Sequence, residues 1–122
     1  MYEMMWDAIC PLFNKLPQRY ARLRGSKEFP GIEGMVLFYR FREGTVVVAD
    51  VSGLPETETG IFGFHIHEGN ACTGNAEDPF ADTGGHFNPY GKEHPLHAGD
   101  MPVLFANKGR VWSAFYTERF LP

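Results

Sequence analysis

Residues 34–51 read G-M-V-L-F-Y-R-F-R-E-G-T-V-V-V-A-D-V, and this stretch decides the fold. Residues 34–41 and 45–51 are dense in β-branched and aromatic side chains, which suit a pleated surface packed against neighbours. The intervening Arg42-Glu43-Gly44 is short and polar, so the pair is predicted as a β-hairpin. On the N-terminal side, residues 20–24 alternate and predict a further strand. On the C-terminal side, Ser52-Gly53-Leu54-Pro55 breaks the second strand and residues 56–60 form a polar loop. Residues 61–67 predict another strand. A long Gly/Pro/Asn/Asp-rich stretch follows, residues 68–99, with almost no β pattern. Residues 101–105 and 110–116 resume strand-like sequence around the turn Asn107-Lys108-Gly109.

Short strands at hairpin spacing, with no interior helix between them, predict an all-β antiparallel sandwich or barrel. Met4, Met5, Ala8, Ile9, Leu12, Phe13 and Leu16 recur at helical spacing, and Pro11 and Pro17 limit that pattern. A short amphipathic helix capping the domain is expected there, with a partner-binding helix as the alternative. The expected organisation is an N-terminal extension, residues 1–19, and a β domain, residues 20–122, whose residues 68–100 form a long loop.

The 122 residues correspond to one domain, and 43% hydrophobic with 21% charged content is that of a globular chain rather than a disordered one. Fifteen acidic against eleven basic residues give a net charge of −4, which argues against nucleic acid as a partner. Arg19, Arg22, Arg24 and Lys27 gather locally but are interleaved with apolar residues, as on a solvated strand edge. No apolar run approaches the roughly 20 residues needed to cross a bilayer, so no membrane partner is expected. The N-terminus carries acids where a signal peptide carries basic residues, so a cytoplasmic location is expected. In that compartment both cysteines, Cys10 and Cys72, are expected as thiols.

All five histidines fall between His65 and His97. His65 and His67, two apart on a predicted strand, project from one face while Phe64 and Ile66 point to the other. Two imidazoles on a rigid strand make a half-site for copper or zinc. His86, His94, His97 and Asp100 can complete a tetrahedral zinc site of imidazoles and a carboxylate, with the loop glycines and prolines allowing the backbone to bend. Taken singly, His94 reads as a solvated loop residue and Asp100 as a turn residue; taken together, the set points to a metal. A metal can also supply the order that a long loop without secondary structure otherwise lacks.

G-F-H-I-H-E-G, G-G-H-F-N-P and H-A-G-D-M-P resemble three consecutive signatures of the copper/zinc superoxide dismutase family, in that family's order. V-V-V-A-D-V-S-G-L-P before them resembles the family's preceding strand and turn. The resemblance covers roughly residues 20–120. It implies a Greek-key β-barrel in which His65 and His67 hold copper, His86 bridges copper and zinc, and His94, His97 and Asp100 complete the zinc side. His65, His67 and His86 are then the catalytic set, copper and zinc the cofactors, and superoxide the substrate. Cys72, in E-G-N-A-C-T-G, matches the loop half of the family's intrasubunit disulfide. Only Pro95 and Leu96 separate His94 from His97, so the zinc loop is shorter than the family's usual one.

Against the family pattern the barrel is expected to be C-terminally incomplete. The sequence has no histidine after His97, no cysteine after Cys72, and no arginine in the family's active-site context, Arg110 and Arg119 lying elsewhere. Copper therefore has three imidazoles, and unpaired strand edges are expected to favour a homo-oligomer. The readings that follow are a superoxide dismutase whose isolated chain has weak or no turnover, a non-enzymatic copper/zinc-binding module, and an interaction protein with exposed β edges.

Overall fold

The structure, a computed structural model, describes residues 10–122. Its strands are β1 (Arg19–Arg24), β2 (Glu33–Phe41), β3 (Gly44–Ser52), β4 (Ile61–Phe62), β5 (Leu104–Phe105) and β6 (Val111–Thr117). The predicted hairpin is β2–β3: Phe41 stands opposite Gly44, leaving Arg42 and Glu43 as the connecting residues. Arg42 takes φ 51°, the left-handed region that tight hairpins use to match strand twist. At the other end of β3, Gly53 has φ 75°, and a Cβ there would meet the Gly31 carbonyl oxygen at 1.8 Å. Only glycine fits that corner.

β1 pairs antiparallel with β2, and β6 pairs antiparallel with β3, so the main sheet runs β1-β2-β3-β6. The chain leaves β3, passes through the second sheet, β4-β5, and returns to lay β6 beside β3. The result is an antiparallel β-sandwich whose second layer is small, and it does not close into a barrel among the described residues. β5 and β6 are joined by the predicted turn, where Asn107 and Arg110 exchange both backbone hydrogen bonds at 2.9 and 3.1 Å.

Between the layers lies a core of Val36, Val47, Ala49 and Val111 from the main sheet and Phe64, Met101 and Leu104 from the opposite side. β3 is buried along almost its whole length, because its outward residues Val46 and Val48 are also covered. They pack with Tyr39, and Leu12 and Phe13 lie against them. Of the expected N-terminal helix, the described part is a turn of 3-10 helix, Cys10–Asn14; the rest of that expectation, residues 1–9, lies outside the described residues. The Phe13 ring meets Tyr39 and Trp112 edge-on, at centroid separations of 6.1 and 6.4 Å. β1 is an edge strand with its arginines exposed, and β6 forms the opposite edge.

Two predicted strands are shorter than expected. The segment 61–67 is regular only over Ile61–Phe62, and beyond Gly63 it makes isolated bridges, His65 to Asp100 and His67 to His86. The segment 101–105 is regular only over Leu104–Phe105, since Pro102 has no N–H to give to a ladder. In the first case the backbone departs from the sheet and bonds the histidine loop, through Ile66 to Gly99 and Phe87.

Candidate metal centre

The loop is held to the second sheet by its own backbone. Ile66 N–H donates to the Gly99 carbonyl at 2.9 Å, and the Ile66 carbonyl accepts from Phe87 N–H at 2.7 Å. Gly99 N–H closes the set on the Phe87 carbonyl at 2.9 Å. A Cβ on Gly99 would lie 2.5 Å from the Ile66 oxygen, so the glycine of H-A-G-D is what lets these backbones touch. The contact brings His65, His67, His86, His97 and Asp100 into one place. Phe64 is buried in the core and Ile66 packs against it, while His65 and His67 face the loop histidines, the alternation expected of an extended segment.

Asp100 is the hub. Its side chain is 5% exposed, and the Nδ1 atoms of His86, His97, His65 and His94 stand 2.8, 3.1, 3.3 and 3.3 Å from its oxygens. His97 N–H also donates to Asp100 Oδ2, at 3.0 Å. His86, His94, His97 and Asp100 place ligand atoms within 4.8 Å of one another. The His65 ring stacks on His86 at a centroid distance of 4.0 Å and an angle of 17°, and His67 meets His86 edge-on at 5.2 Å. His67 Nδ1–H donates to the Gly84 carbonyl at 3.0 Å, which fixes the tautomer and leaves Nε2 with its lone pair. His94 is the most exposed of the set, its side chain 60% accessible. Even so, the short link of Pro95 and Leu96 still delivers it to Asp100.

Electrostatics favour the ligand form of His65 and Asp100. Burial, then repulsion from His86, hold the His65 imidazole below the usual histidine value, against the pull of Asp100. Burial pushes the Asp100 carboxyl up, but the His97 N–H, the His97 ring and the His86 hydrogen bond outweigh it and leave Asp100 below the usual carboxylate range. His65 Nδ1 is buried and has no hydrogen-bond partner, with Asp100 Oδ1 standing 3.3 Å away. A buried nitrogen lone pair without a proton donor is costly in a finished protein and is what a metal ligand looks like before its ion is bound. Imidazole nitrogens with one carboxylate suit borderline ions such as copper and zinc rather than calcium or magnesium. The donor set therefore fits those ions.

Both cysteines are free thiols, and Cys72 is exposed on the loop. The carbonyl of Gly84, which orients His67, was not visible from sequence; a backbone acceptor carries no residue-type signal.

An antiparallel β-sandwich with a His/Asp cluster on the loop beside its smaller sheet defines a metal-binding β protein. The model of the family described as copper/zinc superoxide dismutase matches residues 32–121, and the chain belongs to that family, whose members use copper and zinc. It is 35% identical over 100 residues to superoxide dismutase [Cu-Zn] 2 of Aquifex aeolicus, covering 73% of this chain and 56% of that relative. The extracellular superoxide dismutase [Cu-Zn] of Rattus norvegicus is 34% identical over 86 residues, covering 68% of this chain and 34% of the relative. Superoxide dismutase [Cu-Zn] 2 of Brassica juncea is 38% identical over 78 residues, covering 58% and 47%. Among solved structures, the Cu/Zn superoxide dismutase from Brucella abortus aligns with a TM-score of 0.69 and 26% identity, over 85% of this chain and 74% of that one. The chain thus spans about half the length of the curated relatives it matches.

Proposed function

We propose that this chain carries the copper/zinc centre of a superoxide dismutase and converts superoxide to dioxygen and hydrogen peroxide. The observation that supports it most is the position of His86, engaged by Asp100 through Nδ1, stacked on the His65 ring and met edge-on by His67. In this reading His65, His67 and His86 hold copper, while His86, His94, His97 and Asp100 hold zinc. Copper, when bound, would supply one-electron redox chemistry between two superoxide ions. Because His86 Nδ1 is engaged on the Asp100 side, proton uptake and release fall to its Nε2. The Gly84 carbonyl keeps the His67 ring oriented, and burial favours the neutral, ligand form of the His65 ring.

The test is superoxide decay with the purified chain loaded with copper and zinc, with zinc alone, and metal-free. The expected result is decay that depends on bound copper and is lost in His65→Ala. A rate no higher than that of the metal-free chain contradicts dismutation.

A second reading is a non-enzymatic copper/zinc-binding module, favoured by the cluster itself, since His86, His94, His97 and Asp100 place ligand atoms within 4.8 Å of one another. An assay that finds both metals bound without turnover would identify it. The same proposal takes residues 20–122 as the metal-binding domain, residues 68–100 as its metal loop and residues 1–19 as a capping extension. It keeps a cytoplasmic location as its expectation; no helix of the described residues is long and apolar enough to cross a membrane. Association of copies through strand edges is supported by exposed Tyr20 on β1 and Trp112 on β6.

A further inference from the structure

Arg119 lies just beyond the end of β6, yet its side chain reaches back into the metal loop. Its Nη1 donates to the carbonyl oxygens of Pro95 at 2.9 Å, Asp100 at 3.3 Å and His97 at 3.4 Å. All of these acceptors are main-chain atoms of the segment that carries His94, His97 and Asp100. The His97 carbonyl already accepts from Asp100 N–H at 3.0 Å, so Arg119 engages an oxygen that also closes the turn. Hydrogen bonds from a guanidinium are charge-assisted and stronger than those between neutral groups. They act here on the backbone of a segment that lies outside every named strand and 3-10 turn of the described residues.

The other end of the contact is fixed as well. Arg119 N–H donates to Thr117 Oγ1 at 3.1 Å, which bends the chain off the end of β6 toward the loop. The neighbouring Phe120 carbonyl accepts from Thr45 Oγ1 at 2.7 Å, and Thr45 is wholly buried in β3. The Phe120 ring meets Phe38 edge-on at 6.1 Å. Arg119 is therefore a strut between a rigid sheet and a loop of irregular backbone. It touches no ligating atom.

We propose that Arg119 is a positioning residue for the zinc side of the centre, tying the backbone of residues 95–100 to the end of β6 so that His94, His97 and Asp100 face one point before an ion arrives. The inference rests on the metal-site reading above. Pre-ordering of the loop raises affinity because its conformational entropy is lost on folding and not again on binding. Lysine is a poor replacement, since all three bonds come from Nη1 and a lysine ammonium ends one bond short of that position.

The test compares the wild-type chain with Arg119→Ala and Arg119→Lys. The readouts are zinc affinity by competition with a chromophoric chelator, the visible absorption of cobalt(II) substituted for zinc, and the unfolding temperature with and without zinc. Arg119→Ala is expected to weaken zinc binding about 10- to 100-fold, the range typical of groups that support a metal ligand. It is also expected to dim the tetrahedral cobalt bands and shrink the zinc-induced rise in unfolding temperature; Arg119→Lys falls between. A folded Arg119→Ala chain that binds zinc like wild type, with the same cobalt spectrum, overturns the proposal. So does a lower unfolding temperature of the metal-free chain with the zinc-induced rise intact, since that is a general staple. If Arg119→Ala does not fold, Arg119→Lys decides on the same zinc and cobalt readouts, and wild-type values in it overturn the proposal. Failure of the wild-type chain itself to bind zinc removes the site reading and this inference together, and is told apart because it precedes any substitution.

Discussion

At the scale of single residues, the centre is governed by which nitrogen of each ring is engaged. Asp100 gathers the Nδ1 atoms of four histidines, and Gly84 takes the Nδ1 of the fifth, His67. The proposed assignment of copper and zinc ligands predicts different losses from different substitutions. His65→Ala and His67→Ala should weaken copper binding by more than the roughly 10- to 100-fold typical of an outer partner, and Asp100→Ala should weaken zinc by as much. Separate copper and zinc titrations check this; equal loss of both metals in all three variants would indicate one merged site. Thr45 offers a test away from the metal. Thr45→Val keeps the volume but leaves the Phe120 carbonyl without its 2.7 Å donor, and should lower stability by about 1–3 kcal/mol in denaturant unfolding. An unchanged midpoint would mean that water replaces the hydroxyl.

At the scale of elements, β3 decides most of the stability, because both of its faces are covered. Val47 is wholly buried at the centre of the core, and Val47→Ala should cost about 2 kcal/mol or more, read from the unfolding midpoint. Gly53→Ala should be worse than its size suggests, since φ 75° and the Gly31 oxygen leave no room for a Cβ. The hairpin β2–β3 was legible from composition and spacing alone, because local β propensity and the Arg42–Gly44 turn agree there. The ends of β4 and β5 were not legible. Residues 63–67 alternate like a strand, but their hydrogen bonds go to loop backbone at Gly99 and Phe87, a pairing that depends on tertiary contact. Alternation correctly indicated which side chains point inward, without showing what the backbone bonds to. The role of Arg119 was hidden for the same reason: its acceptors are carbonyls 19 to 24 residues earlier in the chain.

At the scale of the whole molecule, a large sheet faces a small one, and the metal loop is fastened to both. Fold class was readable from the spacing of the strands, and the histidines that meet in space also cluster in sequence, because they lie on one loop and one adjoining extended segment. Exposed Trp112, at 59%, and Phe105, at 64%, leave apolar surface on strands of both sheets. Light scattering at two protein concentrations should show the association proposed for these edges, and a concentration-independent monomer would contradict it. The most direct measurement is of metal content after equilibrium dialysis, comparing the wild-type chain with His67→Ala and His86→Ala. A shared His86 predicts one copper and one zinc per wild-type chain, loss of copper alone in His67→Ala, and loss of both metals in His86→Ala. A wild-type chain that takes up a single ion, or a His86→Ala chain that keeps both, would contradict a bridged copper/zinc centre.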